Sequence, residues 1–111
     1  MTIIAFALAA FFSLLLWTVS HLFQPRFAGP DRVVMQWFID GTPTWTAPPR
    51  VALAFTPVLG TLMCFLTACL IAFAVPEEER RAAVPAVAIM GLIFVAIHAA
   101  HLWFAARSSA R

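Results

Sequence analysis

The chain has no Lys, no Asn and no Tyr, and only 11 % of its 111 residues are charged. Soluble domains carry about 25 % charged residues, so too little polar side chain is present to cover a water-facing surface. That excludes a cytosolic enzyme, and the apolar content excludes a disordered tail. Only two Cys occur, Cys64 and Cys69, both within one apolar run. Their spacing puts them about 140° apart around a helix, so they read as structural thiols rather than a bonded pair or a shared ligand set. Nothing resembles a phosphate-binding glycine loop, a Ser/His/Asp set or a paired-carboxylate site, and the protein is expected not to be an enzyme. The missing Lys, Asn and Tyr, beside plentiful Ala, Pro and Arg, fit a GC-rich coding sequence and hence a bacterial source.

Apolar residues make up 63 % of the chain, with a mean hydropathy of +0.93. They are gathered into three runs, 3–23, 51–75 and 82–106. At 1.5 Å per residue the first covers about 31 Å, the thickness of a bilayer hydrocarbon core. No basic residue precedes that run and no small-residue cleavage site follows it, so it reads as a spanning helix rather than a secretory signal. Pro57 lies one turn inside the second run, where a spanning helix tolerates it. Pro76-Glu77-Glu78-Glu79 reads as an interfacial helix start, with Pro85 interrupting the third run soon after. The expectation is one all-α integral membrane domain of three transmembrane helices, in a bacterial cytoplasmic membrane.

Between the first two runs lies a polar segment, 24–50, too long to be structureless without a reason. Val33, Val34, Trp37 and Phe38 recur with helical spacing, which predicts an interfacial loop element or short amphipathic helix. Asp40-Gly41-Thr42-Pro43 reads as a turn. The formal net charge of +2 marks membrane topology rather than nucleic-acid binding. Arg26, Arg32, Arg50, Arg107 and Arg111 share one side, against Arg80 and Arg81 on the other, which places the long loop in the cytoplasm.

The run from Pro30 to Trp45, followed by an apolar helix with an internal proline, resembles the small membrane domain at the start of SdpI-like bacteriocin-immunity proteins. That family's loop has the form P-D-x-[VI]-P-x-H-W-N-x-x-G-x-P-D. Pro30, Asp31, Val33, Trp37, Gly41, Pro43 and Pro57 match. Val34, Gln36, Phe38 and Thr44 stand where the family has Pro, His, Asn and an acid. Gln36 still exchanges hydrogen bonds but does not titrate. The resemblance covers roughly residues 5 to 75 and implies a helical membrane architecture and an interaction or immunity role, with the loop motif Pro30, Asp31, Gln36, Trp37, Asp40, Gly41 and Pro43 as its site. It also implies the loop on the side opposite to that given by the Arg count.

Two further patterns carry chemistry. His21, His98 and His101 fall near one membrane face if all three runs span. Such a set serves metal or haem ligation, interhelical hydrogen bonding or placement at the headgroups. Thr56, Gly60, Cys64, Ala68 and Ala72 recur every fourth residue, a small-residue ridge that lets helices approach closely. Ala5, Ala9 and Ser13 are its candidate partners on the first span, and Gly91, Val95 and Ala99 on the third; the same ridge would serve a homo-oligomer. The leading expectation is a non-catalytic module without a cofactor, contacting membrane lipids and another membrane protein or a second copy. The alternatives are an accessory subunit of a larger membrane complex and a small metal- or haem-binding protein using His98, His101 and His21.

Overall fold

The computed structural model describes residues 1–29, 32–37 and 39–109, without the side chains of 108 and 109. Pro30, Asp31, Phe38 and Arg111 therefore lie outside the described residues. Helix α1 (Thr2–Phe23) ends in a 3-10 turn, Gln24–Phe27. Strands β1 (Val33–Trp37) and β2 (Pro43–Ala47) follow, then helix α2 (Pro49–Phe73). A 3-10 turn (Glu77–Glu79), a one-turn helix α3 (Arg80–Ala83) and helix α4 (Pro85–Ser109) complete the chain. Three helices are long and apolar enough to cross a membrane, and only 22 to 33 % of each apolar window is buried within the protein. Leu14, Leu62, Leu70, Leu92 and Ile97 point outward at more than half exposure. A surface of that kind fits lipid and not water.

Each helix boundary has a local cause. Pro49 opens α2 at a position whose N–H has no helical partner in any case. At the other end of α2 the Arg80 side chain does the capping. Its Nε donates to the carbonyls of Ile71 (3.2 Å) and Val75 (3.1 Å), and a terminal nitrogen donates to that of Ala72 (2.9 Å). A cation placed there satisfies carbonyls that the helix leaves unpaired and opposes the negative end of its dipole. Pro85 separates α3 from α4, since it brings no N–H and takes the first position of the new helix.

The three long helices pack side by side, with α2 antiparallel to the other two. At one end Ala5, Ala9 and Phe12 of α1 meet Cys64, Ala68 and Ile71 of α2, Val84 between α3 and α4, and Val87 of α4. At the other, Phe27 and Val33 meet Ala52 of α2 and Leu102, Ala105 and Ala106 of α4. Small residues set the spacing. Thr56, Gly60, Cys64, Ala68 and Ala72 are all buried within the chain. A Cβ on Gly60 would come within 2.6 Å of Leu16 on α1 and 3.3 Å of Phe94 on α4. Gly91 is tighter still, because a Cβ there would overlap the Phe12 side chain. Of the proposed third-span partners, Gly91 is buried, while Val95 and Ala99 are half-buried.

Of the two expectations for this segment, a loop element or a short amphipathic helix, the helix does not form: the residues make an antiparallel hairpin, with Val33 opposite Ala47, Val34 opposite Thr46, Gln36 opposite Trp45 and Trp37 opposite Pro43. The correction has a physical reason. Apolar residues at 33, 34 and 37 fit a helical stripe over one turn, but one turn is too short to be a stable helix. Apart from Met35 and Gln36, the residues of Val-Val-Met-Gln-Trp and Thr-Trp-Thr are β-branched or aromatic. The turn between them fixes the choice. Gly41 holds φ at +88°, a left-handed conformation that glycine adopts without strain, and the Asp40 carboxylate accepts the Thr42 backbone N–H at 2.9 Å.

Replacing Gly91 by Ala should destabilise the protein by about 1 to 3 kcal/mol through overpacking against Phe12, measured by unfolding in mixed detergent. In a Phe12→Ala background the same replacement should cost distinctly less. The Thr42 hydrogen bonds hold the Asp40 carboxyl below the usual carboxylate range. A depressed folded value means that the turn bond is fully present above the ordinary Asp value and is lost as pH falls through the lower, folded one. The Thr42 amide resonance should therefore titrate with a midpoint below 3.8, and Asp40→Ala should remove that titration.

Candidate functional site

At the end that the hairpin covers, Ser20, His98 and the Leu53 carbonyl meet one turn from Pro57. Lacking an N–H, Pro57 leaves the carbonyl one turn earlier, that of Leu53, without its helical partner. In a hydrocarbon environment a free carbonyl costs several kcal/mol unless another group satisfies it. The Ser20 hydroxyl of α1 donates to the Leu53 carbonyl. The same oxygen lies 2.7 Å from Nε2 of His98 on α4. A serine hydroxyl has a single hydrogen, and the carbonyl takes it. Ser20 is thus the acceptor from His98, whose Nε2 carries the hydrogen. The chain His98 to Ser20 to Leu53 joins all three long helices. His98 is fully buried, and its second ring nitrogen, Nδ1, has no partner among the described residues.

His101, one turn further along α4, serves the hairpin. Its Nε2 donates to the Val34 carbonyl at 3.1 Å, and the Trp37 ring meets the imidazole edge-on at 5.9 Å between centroids. With Val33 fully buried, these contacts fasten β1 to the bundle. Strand β2 faces outward. Trp45 is 42 % exposed, its indole N–H donates to Gln36 at 3.2 Å, and its ring meets Phe55 of α2 edge-on at 6.2 Å. Arg32 closes the open end of the hairpin through Thr46, reaching its hydroxyl at 3.0 Å and its carbonyl at 2.7 Å. His21 is exposed and lines a cavity between α1 and α2 with Trp17, Ser20, Gln24, Arg50 and Leu53.

No family model, curated protein or solved structure matches the chain. The arrangement of its own residues is what bears on function.

The three imidazoles lie at one end of the bundle but do not converge. His98 bonds Ser20, His101 bonds the hairpin and His21 faces a cavity. Among the described residues no group of three His, Cys, Asp or Glu is close enough to hold a metal ion, so the ligand set drawn from His98, His101 and His21 is not assembled. Of the loop-motif residues, Gln36 and Trp37 sit on β1, Asp40 and Gly41 form the turn and Pro43 opens β2. Ser20 escaped the reading of the sequence. The signal for it was present in Pro57, which calls for a hydroxyl donor at its own depth on a neighbouring helix.

Replacing Ser20 by Ala leaves His98 Nε2 and the Leu53 carbonyl unpaired and should destabilise the protein by about 1 to 3 kcal/mol. Combined with Pro57→Ala, which restores a backbone N–H to Leu53, the loss from Ser20→Ala should be smaller. A double-mutant cycle in unfolding free energy measures that coupling.

Proposed function

We propose that the protein is a non-catalytic interaction module of a bacterial cytoplasmic membrane, SdpI-like in architecture, that engages another membrane protein through its hairpin and the adjoining helix faces. The observation that carries this reading is the two-sided construction of the hairpin. One strand is fastened to the bundle through Val33, His101 and Trp37, and the other presents Trp45 outward. An exposed tryptophan whose indole is already held by Gln36 and Phe55 loses little conformational freedom on binding. That is the usual character of an interface anchor. An immunity-type role would use the same face, with Gln36 supplying hydrogen bonds where the SdpI-like loop has His.

Changing Trp45 to Ala should lower recovery of the partner by about tenfold or more, the loss expected of an anchor residue, in crosslinking and co-purification from the native membrane. Membrane insertion should be unaffected. An unchanged set of partners at unchanged yield would overturn the reading.

A further inference from the structure

The cavity that His21 lines opens between the last turns of α1 and the first turn of α2 and has a volume of about 310 Å³. Arg50, His21 and Gln24, all exposed, bring hydrogen-bond donors to its wall, and among the described residues no carboxylate lines it. Arg50 stands in the first turn of α2, where the helix dipole is itself positive. A second cavity, of about 500 Å³, shares Arg50 and Ala54 with the first and is otherwise apolar, lined by Val51, Phe55, Val58, Leu59 and Leu62. From Arg50 to Leu62 is roughly 18 Å along the helix axis, more than half of the hydrocarbon core, which is about 30 Å thick. A donor-rich pocket at the end of the bundle therefore adjoins an apolar groove that runs toward the middle of the membrane.

We infer that the two cavities form one site for a single anionic glycerophospholipid, with its phosphate against Arg50, His21 and Gln24 and one acyl chain along the α2 groove. The chemistry is complementary at each level. Phosphate oxygens only accept hydrogen bonds, and a guanidinium offers them a planar pair of charged donors. Trp17 lines the same pocket, and a tryptophan is at home at the level of the headgroup and glycerol. Basic pockets between spanning helices are a recurring form of headgroup site. A second copy of the chain fits less well. Among the described carboxylates, those of Glu77, Glu78 and Glu79 precede α4 at the end of the bundle remote from Arg50, and that of Asp40 is engaged in its own turn by the Thr42 N–H. The inference is independent of the interaction role proposed above.

The test is native mass spectrometry of the full chain after delipidation in detergent, with phosphatidylglycerol or phosphatidylcholine added back. The wild type should hold one phosphatidylglycerol per chain, about tenfold more tightly than phosphatidylcholine. Arg50→Gln should remove that preference, as loss of a charged hydrogen bond implies, and Arg50→Lys should keep part of it. Val58→Trp, which fills the groove, should weaken binding of both lipids. Arg107→Gln, an exposed basic residue outside the site, should change nothing. Circular dichroism and gel filtration establish that each variant is folded. Equal retention of the two lipids by the wild type, or a preference that survives Arg50→Gln, would overturn the proposal. So would displacement of the lipid by glycerol phosphate at equal concentration, since that would mark a site for a free anion.

Discussion

A single backbone carbonyl, that of Leu53, organises the hairpin end of this protein. Pro57 deprives it of its helical partner, and a carbonyl turned between packed helices needs another donor. Ser20 supplies the hydrogen, which commits its own lone pairs to a donor, and His98 is that donor. Each step fixes the rotation of one more helix. The orientation of α4 about its axis is set in turn, and with it the position of His101 one turn away and of the hairpin that His101 holds. A local defect in α2 is thus translated into the placement of an exposed tryptophan on the far side of β1.

The opposite end of the bundle is held by different means. There the packing is steric, with Ala5, Ala9 and Ala68 allowing close approach and Phe12 seated on Gly91. Between spanning helices apolar contact with a neighbour and with lipid are nearly equivalent in free energy, so shape rather than hydrophobicity selects the arrangement. Arg80 completes that end by satisfying three carbonyls at the close of α2. Hydrogen bonds between the long helices specify one end, and the other combines close side-chain packing with the Arg80 cap.

Much of this was legible in the sequence. Three uncharged runs of spanning length gave the helices because in a bilayer the backbone has few alternatives. The ridge from Thr56 to Ala72 announced a buried face because small residues at that spacing have few other uses. The hairpin was misread for an equally physical reason. Over five residues a helical stripe and a strand pattern overlap, and only the turn chemistry of Asp40 and Gly41 separates them. His98, His101 and His21 lie at one end of the bundle, but sequence spacing does not report where side chains point across helices. Only the cross-chain geometry distinguishes a core bond, a loop fastener and a cavity wall. Ser20 was invisible because its role is defined by a proline 37 positions away.

The link between Ser20 and His98 joins the first long helix to the last, across 78 positions. When α1 and α2 have entered the membrane and α4 has not, Ser20 and Leu53 can already satisfy each other, but the hydroxyl oxygen still has a lone pair facing the vacant place. The early helical pair is therefore self-sufficient in donors and open in acceptors. It is a template with one polar feature, and the segment that fills it must carry a donor at the depth of His98. One oxygen atom thus sets which helix can complete the bundle.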